Sequence, residues 1–134
     1  VNLHKDEILR DFPQVDQVLG AGSVDKILDA LTKTNDTDQD FSRKSYLESA
    51  EVPRTLVTPP HYAYLKIAEG CRKKCSFCII PKIKGKLQSK PKEQVISESH
   101  ALLETGVKEI ILIAQDLGDY GKDFFRKDGL TEML

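Results

Sequence analysis

Every cysteine of the 134-residue chain lies in one short loop. Cys71, Cys75 and Cys78 form a C-x3-C-x2-C pattern within Glu69-Gly70-Cys71-Arg72-Lys73-Lys74-Cys75-Ser76-Phe77-Cys78. No other feature constrains the fold as strongly, because the backbone here must wrap whatever the sulfurs hold and the flanking segments must present it. Three thiolates this close can hold three irons of a cubane cluster and leave the fourth iron without a protein ligand. An iron without a protein ligand is a place for a substrate to bind.

Other uses of the cysteines fit less well. An odd number of such close neighbours makes a poor disulfide framework. Zinc usually takes four ligands, and His61, ten residues upstream of Cys71, is the nearest candidate for a fourth; His4 and His100 have no useful spacing. Inert core cysteines conflict with Arg72, Lys73 and Lys74, three successive charges inside the motif. Thiolate ligands need a reducing compartment, so the expected location is the cytoplasm. No segment reads as a membrane span or a signal peptide.

Net charge is −1, yet between Lys66 and Lys92 nine basic residues face Glu69 as the single acid. This run reads either as a solvated face or as an electropositive zone beside the cysteines that suits an anionic partner such as RNA.

Along the chain, residues 5–12 read as a short amphipathic helix stopped by Pro13, and Val15 to Leu19 as a short strand. Gly20-Ala21-Gly22 reads as a tight turn, since the fuller G-x-G-x-x-G phosphate pattern is missing. Ser23 is placed to cap a helix with Val24, Ile27, Leu28 and Leu31 on one face. Residues 32–58 read as a polar linker that Phe41, Tyr46, Leu47 and Leu56 pin to a surface. His61 to Ala68 reads as a strand, with the cysteine loop at its C-terminal end. Ser89 or Lys90 begins a helix with Pro91 in its first turn, an apolar stripe of Val95, Ile96, Leu102 and Leu103, and Gly106 at its end. Lys108 to Ala114 is apolar without alternation and reads as a fully buried strand, with Gln115 and Asp116 at its C-terminal end. Strand–loop–helix–strand is a parallel unit, and parallel barrels gather functional groups at the C-terminal ends of their strands.

Three stretches extend the pattern: Thr58-Pro59-Pro60-His61-Tyr62-Ala63-Tyr64-Leu65-Lys66-Ile67-Ala68-Glu69-Gly70-Cys71, then Cys78-Ile79-Ile80-Pro81-Lys82-Ile83-Lys84-Gly85-Lys86, then Ile111-Leu112-Ile113-Ala114-Gln115-Asp116-Leu117-Gly118-Asp119-Tyr120-Gly121. With the cysteine motif they resemble the radical S-adenosylmethionine (SAM) methylthiotransferases, and within them the ribosomal-protein aspartate methylthiotransferases (RimO family). The tRNA methylthiotransferases (MiaB-like) are similar across the loop but usually carry Gln-Asn after the second strand. The resemblance implies an α/β fold: the end of a flavodoxin-like N-terminal domain over 1–32, an interdomain linker over 33–58, and the first βαβ part of a radical SAM partial (βα) barrel over 59–134.

It also implies methylthiolation of the β-carbon of an aspartate in small-subunit ribosomal protein twelve. The implied cofactors are a [4Fe-4S] cluster with one open iron on Cys71, Cys75 and Cys78, and SAM, with Phe77, Gln115 and Asp116 as cofactor-binding residues. A second, auxiliary cluster is implied for the parent, but this chain has no cysteines to hold it. A flavodoxin or ferredoxin is the implied reductant. The chain begins at Val1 and ends in what reads as a cut helix, so the expectation is a central piece of a longer enzyme. The alternatives carried forward are a tRNA methylthiotransferase and a zinc or RNA-binding module.

Overall fold

A computed structural model describes residues 4–32, 55–124 and 129–134. Its elements are α1 (Lys5–Asp11), α2 (Ile27–Thr32), β1 (Tyr62–Lys66), β2 (Ala68–Glu69), α3 (Ile80–Ile83), β3 (Gln88–Ser89), α4 (Lys92–Glu104), β4 (Glu109–Ile113) and α5 (Gly129–Met133).

β1 and β4 pair in parallel, from Tyr62 opposite Glu109 to Lys66 opposite Ile113. The His61 carbonyl accepts from the Lys108 and Glu109 amides at 2.8 and 3.0 Å and starts this register. Strand alternation sends Ala63, Leu65 and Ile67 to one face, where all three are fully buried. They share a core with Val95 and Leu102 of α4, with Val107, and with Ile110, Leu112 and Ala114 against its edge. A parallel pair needs a crossover, and α4 supplies it. Thr105 caps α4 and Gly106, at φ 95°, turns the chain out of it, as read from the sequence.

Several expectations need correction. β4 is not buried on both faces: its residues are half-buried or exposed, and Ile113 is exposed. The buried cluster lies on the α4 side of this sheet, and Tyr64 and Ile113 on the opposite face are exposed. The α4 stripe divides as well: Val95 and Leu102 are buried, whereas Ile96 and Leu103 lie about 100° around the helix and are exposed. Pro91 is the N-cap of α4, not part of its first turn. The expected strand from His61 to Ala68 is two strands, because the chain changes partner at Ile67. The Ile67 amide donates to Ile113 of β4 at 3.1 Å, while its carbonyl accepts from Lys90 at 2.8 Å. β2 then pairs antiparallel with β3, Ala68 opposite Ser89 and Glu69 opposite Gln88.

In the N-terminal segment α1 forms where expected and Gly20 to Ser23 makes the tight turn. Val15 to Leu19 is not a strand: alternation there finds no partner strand among the described residues, and only Val18 in the segment is a buried apolar residue. Ser23 stands before a 3-10 turn leading into α2 and makes no side-chain cap bond. Val24, Ile27, Leu28 and Leu31 share a face that is exposed among the described residues. Most of the expected linker, with Phe41, Tyr46 and Leu47, lies outside the described residues; Leu56 does pack against the core.

The segment after β4 is tied back to the start of α4. Ser89 donates to Asp123 from its amide (2.8 Å) and its hydroxyl (2.6 Å), Gly121 donates to Ser89 Oγ (2.9 Å), and the Tyr120 hydroxyl donates to the Lys90 carbonyl (2.8 Å).

Leu65→Ala should lower stability by about 3 kcal/mol through the cavity it leaves. Leu103→Ala, on the exposed side of α4, should cost well under about 1 kcal/mol. Urea midpoints of the two variants check the difference.

Candidate metal centre

The cysteine loop leaves β2 and returns into β3, so the antiparallel pairing of these strands closes its neck. Gly70 makes that closure possible. Its φ is 74°, and a Cβ on it would lie 2.3 Å from the Lys86 carbonyl oxygen and 2.8 Å from that of Gly85. Only glycine tolerates both the angle and the approach. The Cys71 amide then donates to the Gly85 carbonyl at 3.3 Å.

Beyond the neck, the Cys78 amide donates to the Cys75 carbonyl at 3.1 Å and turns the chain into α3. The Lys73 amide lies 3.4 Å from Cys71 Sγ as a donor. Amide donors of this kind are among the features that set the potential of sulfur-held iron clusters. All three cysteines are free thiols, Cys75 exposed and the others half-buried. Their chemistry fits an iron–sulfur cluster: soft donors on one loop, a backbone N–H aimed at one sulfur, and solvent access. Among the described residues no group of three or more His, Cys, Asp or Glu side chains stands preformed to hold a metal ion. His61 is held edge-on to Tyr62, with ring centroids 5.0 Å apart. It lies beyond the far end of β1, about 16 Å of strand from the loop, and is badly placed as a fourth zinc ligand.

The residues after β4 do meet this loop. Gln115 donates from Nε2 to Glu69 Oε1 at 2.8 Å. Asp116 is half-buried, with Oδ2 3.4 Å from Lys73 Nζ. Lys73 also lies 3.5 Å from Asp119 Oδ2, while Asp119 Oδ1 takes Lys122 at 2.5 Å. Phe77 is 91% exposed and is not part of a loop core.

Sequence reasoning missed Glu69 and Asp119. Both are buried carboxylates, and burial leaves no mark in the local sequence pattern. Burial pushes the Glu69 carboxyl up, but the Lys66 hydrogen bond and charge, then Lys84 and Gln115, outweigh it and hold the group below the usual range. The Lys122 hydrogen bond is the main influence that lowers Asp119, against its burial, with help from the charges of Lys122 and Lys73. Lys73 is raised, first by the Asp116 carboxylate and then by Asp119.

The basic run is therefore partly neutralised. Lys66 and Lys84 face Glu69, Lys73 faces Asp116 and Asp119, and Lys90 is paired with Glu98 at 2.6 Å. Arg72, Lys74, Lys82 and Lys86 are exposed and have no acidic partner within 4.0 Å among the described residues, so the positive zone is the cysteine loop itself.

No protein-family model matches the chain. Curated relatives match it from end to end. A protein of Chlamydia abortus named ribosomal protein uS12 methylthiotransferase RimO is 63% identical over 136 residues, covering 100% of this chain and 29% of its own length. The Chlamydia felis protein of that name is 58% identical over the same span. One from Caldanaerobacter subterraneus is 42% identical over 130 residues, or 96% of this chain and 30% of its own length. The chain spans about 29% of the length of the two Chlamydia relatives.

Two expectations follow from the geometry. Gly70→Ala should destabilise the loop neck by about 2 kcal/mol or more, read as a lowered urea midpoint. Asp119→Asn should cost about 1.5 kcal/mol at neutral pH. Because the Asp119 pKa is depressed, its contribution is fully present above the unfolded aspartate value of about 3.9 and is lost as pH falls through the lower native value. The gap between wild type and Asp119→Asn should therefore close in an acid titration of stability.

Proposed function

We propose that the chain is part of a radical SAM enzyme that places a methylthio group on the β-carbon of an aspartate of ribosomal protein uS12. The observation that carries this reading is a C-x3-C-x2-C loop at the C-terminal end of a parallel β1/β4 pair, beside Gln115-Asp116, in a chain that matches proteins of that named activity along its whole length. The names of these relatives, with Gln115-Asp116 after β4, favour the ribosomal-protein branch over a tRNA methylthiotransferase.

In this reading the thiolates of Cys71, Cys75 and Cys78 would hold a [4Fe-4S] cluster that has one iron without a protein ligand. When bound, that cluster supplies one-electron reductive cleavage of SAM. Gly70 keeps the loop neck narrow enough for the near and far limbs to close together. Gln115 and Asp116 offer polar groups at the end of β4 for the ammonium and hydroxyl groups of SAM, and the exposed ring of Phe77 offers an apolar surface for its adenine. All three cysteines are used in this loop, so an auxiliary cluster would rest on cysteines outside these residues.

The domain reading is the end of a flavodoxin-like domain over 1–32, a linker over 33–58, and the start of a partial (βα) barrel over 59–134. A flavodoxin or ferredoxin reductant acts in the reducing cytoplasm that thiolate ligands need. The exposed cations of the loop favour an anionic partner surface such as RNA near the ribosomal protein. No helix of the described residues is long and apolar enough to cross a membrane.

Anaerobic reconstitution with iron and sulfide should give about four irons per chain and an EPR signal that changes on adding SAM. Cys71→Ala, Cys75→Ala and Cys78→Ala should each lose most of the iron. The parent enzyme should add the mass of a methylthio group, less one hydrogen, to uS12 and leave tRNA unmodified. Zinc in place of iron, or modified tRNA with unchanged uS12, would overturn the reading.

A further inference from the structure

The cysteine loop has an anchor that is not a cysteine. Glu69 ends β2 two residues before Cys71, and its side chain is only 6% exposed. A buried carboxylate is stable only if its oxygens are occupied by charged or hydrogen-bonding groups. Here each oxygen is occupied, and the three partners come from three segments. Oε2 takes Lys66 of β1 at 2.6 Å. Oε1 takes the Gln115 amide at 2.8 Å and faces Lys84 at 3.6 Å. Lys84 caps α3 on the far limb of the loop, and Gln115 follows β4.

One carboxylate therefore joins the near limb of the loop, its far limb and the end of the neighbouring strand. It also fixes the Gln115 amide. An ionised carboxylate can only accept, so Gln115 must present its NH2 to Glu69, which leaves its carbonyl oxygen as an acceptor without a partner among the described residues. Buried ion pairs add little net stability compared with well-packed apolar groups, so the contribution of this one is geometric.

We propose that Glu69 is the positioning residue of the cysteine loop: through Lys84 and Gln115 it sets where the three thiols lie over the end of β4, and it turns the Gln115 carbonyl toward a bound ligand's hydrogen-bond donor. The proposal rests on the cluster and SAM reading above for what the loop and Gln115 hold.

Two readouts on the full chain test it. The first is the rate at which a maleimide modifies Cys71, Cys75 and Cys78 in the metal-free protein, resolved by mass spectrometry. Glu69→Ala should raise the rate at the half-buried Cys71 and Cys78 by about tenfold, the equivalent of one lost charged hydrogen bond. Glu69→Gln, which keeps an acceptor for Gln115, should fall between Glu69→Ala and wild type. The second is iron content and the SAM-dependent EPR change after reconstitution. Glu69→Ala should lose both. Gln115→Ala, at an exposed position, should keep its iron and lose most of the EPR response to SAM.

Wild-type thiol rates and a full SAM response in folded Glu69→Ala would overturn the proposal. If Glu69→Ala does not fold, Gln115→Ala decides, and an unchanged EPR response to SAM overturns it. If the wild-type chain takes up no iron, the cluster reading fails, and the thiol rates of Glu69→Gln against wild type still decide the positioning role.

Discussion

Ile67 is the point on which the rest of the arrangement depends. Its amide completes the parallel ladder to β4, and its carbonyl opens the connection to the start of α4 through Lys90. A fully buried residue cannot leave either group unpaired without a large penalty, so this residue must serve two partners that run in different directions. That dual pairing ends β1, starts β2 and brings β3 alongside. The cysteine loop is what the chain makes between those two short strands. Its position at the C-terminal end of the parallel pair is thus set by the backbone before any metal or cofactor is considered.

The legible parts of the sequence were those in which local pattern and local structure share a cause. The C-x3-C-x2-C spacing, the turn at Gly20 to Gly22, the end of α4 at Gly106 and the place of Gln115-Asp116 are all fixed within a few residues. The parallel order followed from the length of the crossover. What failed depended on distant partners. The break at Ile67 leaves no mark in the run His61 to Ala68, because it reflects a change of hydrogen-bond partner. The continuous run Ile110 to Ala114 speaks of apolarity on both faces, but the buried cluster lies on the α4 side and Ile113 is exposed. Val15 to Leu19 has the alternation of a strand and no neighbouring strand among the described residues.

The candidate site was legible in its donors and illegible in its supports. Three cysteines announce themselves by spacing. Glu69 and Asp119 do not, since their value lies in burial, and burial is a property of the fold. Nine cations around one acid read either as a solvated face or as an electropositive zone. The fold divides them by drawing Lys66 and Lys84 onto Glu69 and Lys73 onto Asp116 and Asp119.

That division of charge gives the loop two electrostatic halves with different duties. The paired cations lie where the loop meets β1, the far limb and the β4 end. There, opposite charges at about 4 Å in a partly buried setting interact far more strongly than in water. The unpaired Arg72, Lys74, Lys82 and Lys86 lie on the exposed surface, where screening leaves them weak in any single contact but additive in their field. Salt should therefore act on the two halves unequally. It weakens attraction of an anionic partner to the outer cations while leaving the Glu69 and Asp119 pairs largely intact. A loop that must hold reactive sulfurs in one place and still meet a large charged partner needs both properties, and its sequence supplies them by placing two buried acids beneath an otherwise basic surface.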